Sequence, residues 1–493
     1  MTTPNHTTKQ QKKSLVEQSV DILLEDGYFF SDLLNNSYYA VYGESVVYNL
    51  DDPSFKSYFA FSSNEKLGKI LLENALNQSL WYLRSIAKRT TIPYAIRKRV
   101  NIVNNIIFYD FANTDILQIS KNKISFLAKK GEPLFCRSST MVEQIKPNFQ
   151  VDLSRLYELL KKHFRLKNSH DYILLLVNIV ISFIPNVQHP ILCLSGEKGS
   201  GKTLSMDLLR KVIDPSIINR EIFPSKDSEL SLILSNSYAV SFDNLDERSI
   251  TSSTSNLLCS AVSNAAQRSR RLFSDNETVT RHYSNFIMVN GIGELADKSD
   301  LLDRVMLIEF ERIPTSERRS ENVLIQEFNK DLPDILGSIF QLLQCILNDD
   351  ESSENFKLTR FTDFDAYASK ICKYINYSLE DYVNILKRMQ ARINSSSIQS
   401  NDAASTLLKY IEVNQLDEIN MTVGELFVSL QLVAFTYNYT RFPKQANWLS
   451  NNLNKAKSNL AEIGITFEIK HTASSKIISI DCGQYIENWN KKR

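Results

Sequence analysis

Glycine is scarce in this chain, 13 among 493 residues, so a place where several glycines gather stands out. The six cysteines (Cys136, Cys193, Cys259, Cys345, Cys372 and Cys482) are scattered, with no C-x-x-C pair and no histidine at zinc-finger spacing. That excludes a disulfide framework and a structural zinc site, and fits a reducing compartment. Charge of one sign is also missing: the net charge is +1, so contact with a polyanion must come from local patches. No apolar run is long enough to cross a bilayer. The most apolar stretch, 172–184, contains Asn178 and stops at Pro185, which predicts a buried helix. Residues 1–14 are polar, carry Lys9, Lys12 and Lys13, and have no apolar signal core; they read as a disordered tail. A soluble cytoplasmic protein without membrane contact is expected. What the chain does have is 43% hydrophobic residues, enough for the two to four domains its length suggests at ~150 residues each.

Three of the rare glycines fall within six positions, in Ser195-Gly-Glu-Lys-Gly-Ser-Gly-Lys-Thr203. This satisfies G-x-x-x-x-G-K-[ST], follows the apolar run 190–194 and opens a helix-like stretch, the strand–turn–helix context that the motif requires. Gly196, Glu197, Lys198, Gly199, Ser200, Gly201, Lys202, Thr203 and Leu204 are the expected ATP contacts. Glycine lets backbone N–H groups curl around phosphate oxygens, Lys202 would reach the β- and γ-phosphates, and the Thr203 hydroxyl would ligate Mg²⁺.

Further along, 238–243 is an apolar strand ending in Asp243, a second ligand for Mg²⁺. Its neighbour Asn244 can orient a water but cannot accept a proton, leaving Asp246 or Glu247 as alternative carboxylates. The strand 285–290 ends in Asn290, placed to sense the γ-phosphate. Arg304, between a short helix and another apolar strand, suits an arginine finger reaching a neighbouring subunit; a salt bridge to Asp303 or Asp300 is the competing reading. Between these lies a hairpin-like segment with Arg268, Arg270, Arg271 and Arg281 beside Phe273 and Tyr283. It suits phosphate pairing and base stacking on single-stranded DNA, or contact with nucleotide or an adjacent subunit.

Around this centre the pattern predicts a strand pair over 28–50, a helix over 66–88, and strands at 103–111, 116–119 and 124–127, with 129–147 as linker. Asp110 and Asp115 read as strand-end and turn carboxylates. Near the C-terminus a helix over 446–463 carries Asn447, Asn451, Asn454, Lys455 and Ser458 opposite its apolar face, followed by strands at 465–469 and 476–480. Helix then β-wing is a winged-helix pattern, and 441–493 holds nine Lys/Arg against four Asp/Glu. DNA contact through Lys455 competes there with protein docking.

With these residues in view the chain resembles AAA+ ATPases of the primase-helicase-like type from phages, phage satellites and other mobile elements, relatives of superfamily 3 and poxvirus-type helicases. The resemblance is carried by 189–203, 241–245, 271–275, 289–292 and 300–304. It implies a homo-oligomeric ring, a hexamer, acting on single-stranded or forked DNA, with a primase or initiator as candidate partner. The expected fold class is an α/β P-loop AAA+ core (150–350) with an N-terminal α/β module (15–135) and a C-terminal helical plus winged-helix domain (360–493). Two activities remain open: a DNA helicase-like motor, or a non-translocating ATPase switch that assembles on DNA or a partner. A small-molecule kinase leaves the C-terminal region unexplained.

Overall fold

The computed structural model describes residues 13–127, 131–243, 245, 250–270, 278–291, 299–349, 358–471 and 475–491. At the N-terminus a capping box between Ser14 and Glu17 starts α1 (Leu15–Asp26). β1 (Gly27–Ser31), β2 (Ser37–Val41) and β3 (Tyr48–Asn49) form an antiparallel sheet, and α2 (Pro53–Leu67) and α3 (Glu73–Ala87) follow. The helix predicted over 66–88 begins only at Glu73, because Gly68 ends α2 in the left-handed conformation (φ +65°).

Next come β4 (Val100–Val103), β5 (Ile106–Asp110), β6 (Ile116–Ile119) and β7 (Ile124–Phe126), an antiparallel meander. The extra strand relative to the sequence pattern arises at Asn104-Asn105, both at positive φ (51° and 60°), a two-residue hairpin turn. Asp110 is fully buried and takes both oxygens to Arg137 at 2.7 Å, while Asp115 pairs with Lys146 at 3.1 Å, so these carboxylates are structural. The segment predicted as linker is threaded through the fold from residue 131 on: Val47 N–H donates to the Phe135 carbonyl at 2.7 Å and Gln144 N–H to the Phe111 carbonyl at 2.9 Å.

The centre is a four-stranded parallel sheet, in the order β13-β8-β12-β9. Its strands are β8 (Ile191–Ser195), β9 (Ala239–Phe242), β12 (Phe286–Asn290) and β13 (Val305–Glu309). Each reads as a near-continuous apolar run because both faces are covered. α4 (Arg155–His163), α5 (Asp171–Ile181), α6 (Lys202–Ile213), α7 (Asp227–Asn236), α8 (Ser252–Val262) and the short α9 (Ser299–Leu302) belong to this region. All eleven residues of α5 are buried, as its hydropathy predicted. The antiparallel arms β10 (Ala266–Arg270) and β11 (Thr278–His282) form the expected hairpin. α10 (Glu321–Asn348), α11 (Thr362–Tyr374) and α12 (Leu379–Ser400) complete one continuous core, which also takes in β4–β6 through Val100, Tyr109 and Leu117.

A separate core holds the rest: α13 (Asp402–Asn414), β14 (Glu418–Thr422), α14 (Val423–Thr436), α15 (Ala446–Lys455), α16 (Lys457–Glu462), β15 (Thr466–His471), β16 (Lys476–Asp481) and α17 (Gly483–Lys491). Its antiparallel sheet has the order β14-β16-β15. The single helix expected over 446–463 is two, divided at Ala456. No helix among the described residues is long and apolar enough to cross a membrane.

His189, just ahead of β8, is buried between Phe286 and Phe364, and burial pushes its imidazole down to about 4. An unfolded histidine titrates near ~6.5, so below that pH the unfolded chain takes up a proton that the folded chain refuses, and stability falls as pH falls. Between pH 7 and pH 5 the wild type is expected to lose about 2 kcal/mol more than His189→Leu, read from urea unfolding at both pH values. Equal losses would show that His189 does not titrate on unfolding.

Candidate functional site at the sheet's C-terminal edge

Because all four central strands are parallel, their C-terminal ends lie along one edge, where ligands of open α/β sheets gather. The loop 196–201 leaves β8 there and turns into α6. Gly196 is required by close approach: a Cβ would lie 2.6 Å from the Phe310 carbonyl oxygen. Gly199 stands at φ +80°, where a side chain is strained. Glu197, Lys198 and Gly199 are exposed, Ser200 is buried, and Gly201 is the N-cap of α6. The Lys202 ammonium donates to the Gly196 carbonyl at 2.6 Å, the Glu197 carbonyl at 3.0 Å and Ser200 Oγ at 3.3 Å, curling back over the loop. Thr203 and Leu204 sit half-buried in the first turn of α6, and the positive end of a helix dipole favours an anion there.

The same edge holds Asp243 and Asn290. Val289 pairs with Phe242 across the ladder, so the residues that follow are neighbours: Asn290 Nδ2 donates to Asp243 Oδ1 at 2.7 Å. Asn290 is buried and Asp243 nearly so, which gives the carboxylate a fixed direction. Its other oxygen accepts from Arg220 at 3.0 Å, and Arg220 Nε lies 3.0 Å from Asp207. Burial raises the Asp207 pKa, against the pull of Arg220. Arg220 comes from a strand-like segment lying beside β9, where Glu221 makes a parallel bridge to Phe242. No motif marked Arg220 in the sequence; its partners are 13 and 23 positions away.

A Thr203 hydroxyl and an Asp243 carboxylate are hard oxygen donors suited to Mg²⁺. Among the described residues no cluster of three or more His, Cys, Asp or Glu side chains is placed to hold a metal ion. A cation at this edge would therefore draw its remaining ligands from phosphate and water, as Mg²⁺ commonly does. The donor set fits a metal–nucleotide complex.

Arg304 is elsewhere. Val305 pairs with Ile191 and Glu309 with Ser195, so Arg304 stands at the N-terminal edge of the sheet, a strand's length from the glycine-rich loop. Its guanidinium donates to the Asp300 backbone carbonyl rather than to the carboxylate of Asp300 or Asp303 among the described residues. Arg268, Arg270 and Arg281 lie on the β10–β11 hairpin, Arg268 opposite Thr280. Tyr283, expected beside them for base stacking, is buried with its hydroxyl 2.7 Å from Ser231, because it closes the hairpin against the core. Asn244, Asp246, Glu247, Arg271 and Phe273 lie outside the described residues. Lys455 ends α15 and is exposed, as are Asn447, Asn451, Asn454 and Ser458.

Residues 158–382 match the family model of the actinomycete integrative conjugative element replication protein, and residues 403–488 match the model of that protein's C-terminal domain. No curated protein matches the chain. Among solved structures, the apo C-terminal region of NrS-1 is 14% identical with a TM-score of 0.41, covering 96% of this chain and 100% of that one. The JCV helicase is 15% identical with a TM-score of 0.23, covering 49% of this chain and 65% of that one. In its central region, with the glycine-rich loop and the parallel sheet, and in its C-terminal region alike, the chain is similar to the replication protein of actinomycete integrative conjugative elements.

Proposed function

We propose that the chain is an AAA+ type ATPase that acts on DNA during replication of a mobile element, hydrolysing Mg²⁺-ATP at the boundaries between subunits of a ring. One observation carries this reading: loop 196–203, Asp243 and Asn290 meet at one sheet edge, while Arg304 stands at the other. In this arrangement the loop amides and Lys202 bind the phosphates, and Thr203 and Asp243 hold the metal. Asn290 fixes the direction of Asp243 and orients water near the γ-phosphate. Bound Mg²⁺ would supply charge neutralisation across the β- and γ-phosphates. Arg304 serves the site of the next subunit. The C-terminal region, with its β14-β16-β15 sheet and the exposed Asn/Lys face of α15, is read as a winged helix on DNA.

Lys202→Ala is expected to lower ATP turnover about 10²–10³-fold, the usual scale for losing one electrostatic contact to the developing charge. Steady-state phosphate release measures it, and unchanged turnover would remove the reading.

A second reading, a non-translocating switch, is favoured by Arg220, which engages the oxygen of Asp243 left open by Asn290. ATP would then assemble the protein on DNA, with hydrolysis only for release. Strand displacement separates the two: tight ATP-dependent DNA binding without unwinding identifies the switch.

A further inference from the structure

The chain that leaves β13 runs back over the glycine-rich loop. Phe310 N–H donates to the Ser195 carbonyl at 2.7 Å, and Ile313 N–H to the Gly199 carbonyl at 3.2 Å. From outside, Arg165 ties this strap down through Glu311, at 2.8 Å, and Glu317. Three arginines follow one another on it, and they differ in one respect. Arg312 lies 3.6 Å from Glu197, and Arg319 pairs with Glu327. Arg318 has no carboxylate partner among the described residues; its backbone N–H bonds to Thr315, and its guanidinium lies against the loop. The approach is close: one guanidinium nitrogen is 2.8 Å from where a Cβ on Gly199 would sit. Glycine at 199 thus leaves room for an arginine as well as for a left-handed turn.

Charge sharpens the point. The one carboxylate on the loop, Glu197, is already met by Arg312, so Lys198 and Arg318 leave this corner of the molecule positive. An exposed guanidinium held over a phosphate-type loop, with no acidic partner, is suited to a forked pair of hydrogen bonds with phosphate oxygens.

We infer that Arg318 is a phosphate contact of the nucleotide site, supplied by the same subunit as the glycine-rich loop. The inference rests on the ATP-binding reading above and adds a cation to it that acts in cis, as Arg304 does not. Arg318 is part of the strap fixed to its own loop by the Ile313–Gly199 bond, so the two travel together.

The test uses the full chain with fluorescent ADP and ATP analogues and with unlabelled adenosine as competitor. Arg318→Ala is expected to weaken both nucleotides about tenfold and leave the adenosine constant unmoved, with Arg318→Lys recovering part of the loss. Wild-type affinity in Arg318→Ala would overturn the inference, and so would an equal loss for adenosine, which marks a merely structural role. Lys202→Ala is the control: if it weakens binding and Arg318→Ala does not, only the present inference fails. If the wild type binds no nucleotide, the reading beneath it fails as well. Finally, at sub-saturating ATP, mixing Arg318→Ala with Lys202→Ala subunits is expected to give no more turnover than the average of the two variants alone, because every loop keeps its own defect. Recovery in the mixture would place Arg318 in the neighbour's site and overturn the assignment in cis.

Discussion

On the proposed ring reading, assemblies of Arg304→Ala subunits alone are expected to hydrolyse ATP about 10³-fold more slowly or worse, the scale of a lost arginine finger. Mixed with equal Asp243→Asn subunits they should recover turnover. The reason is geometric. From Arg304 to the loop, the sheet rises through the five residues Val305–Glu309, which at ~3.3 Å each is about 16 Å. No arginine side chain spans that distance within one subunit, so a catalytic Arg304 must act across a boundary. In a random mixture about a quarter of the boundaries then pair an intact Asp243 with an intact Arg304, as head-to-tail contacts in a ring require. Phosphate release, measured on mixtures whose assembly is checked by light scattering, decides the matter. Absence of recovery would assign the Arg304 guanidinium to its structural bond with the Asp300 carbonyl, at the end of α9.

The largest effect on stability is expected at Asp214, at the opposite end of α6 from the glycine-rich loop. Its carboxylate is buried and accepts from Arg99 Nε at 2.8 Å, from Arg210 at 3.3 Å and from the Ala239 N–H at 3.2 Å. Both arginines are themselves buried. Arg99 further donates to the carbonyls of Asp110 at 2.9 Å, Val142 at 3.0 Å and Pro215 at 2.8 Å. This cluster joins β4, the strap after residue 131, the C-terminal end of α6 and the start of β9. Asp214→Ala removes the carboxylate that the two guanidinium groups share and leaves both in a low-dielectric interior. A loss of about 3–5 kcal/mol is expected from the shift of the denaturation midpoint. Replacing the trio by Arg99→Met, Arg210→Met and Asp214→Leu should cost less than Asp214→Ala alone, since no charge is then stranded. A loss below about 1 kcal/mol in the single variant would mean that water reaches the cluster.

How much of this was legible beforehand follows from the range of each interaction. Loop 196–203, the apolar strands that became β8, β12 and β13, the buried helix α5 and the β10–β11 hairpin rest on neighbours within about a dozen positions, and periodicity exposes them. The second helix before α3, the turn at Asn104-Asn105 and the division of α15 from α16 were missed. They depend on one or two residues that break a pattern, and propensity weighs such residues poorly. Tyr283 misled for a related reason: a tyrosine beside arginines reads as a stacking surface, but its place at the hairpin's base sends it inward.

By itself the sequence determined that a glycine-rich loop would sit between a buried strand and a helix, because glycine, lysine and threonine at fixed spacing favour that turn of the backbone. Which residues share the edge with that loop was left to the tertiary structure. Strand order brings Asn290 to Asp243 across 47 positions, and the edge segment beside β9 brings Arg220 to the same carboxylate. The return of the chain after β13 lays Arg318 on Gly199, and a buried carboxylate joins Arg99 to Arg210. These partners are far apart along the chain, and no local spacing encodes them. They meet because burying the apolar faces of the parallel strands fixes one packing, and the charges follow the backbone that packing positions.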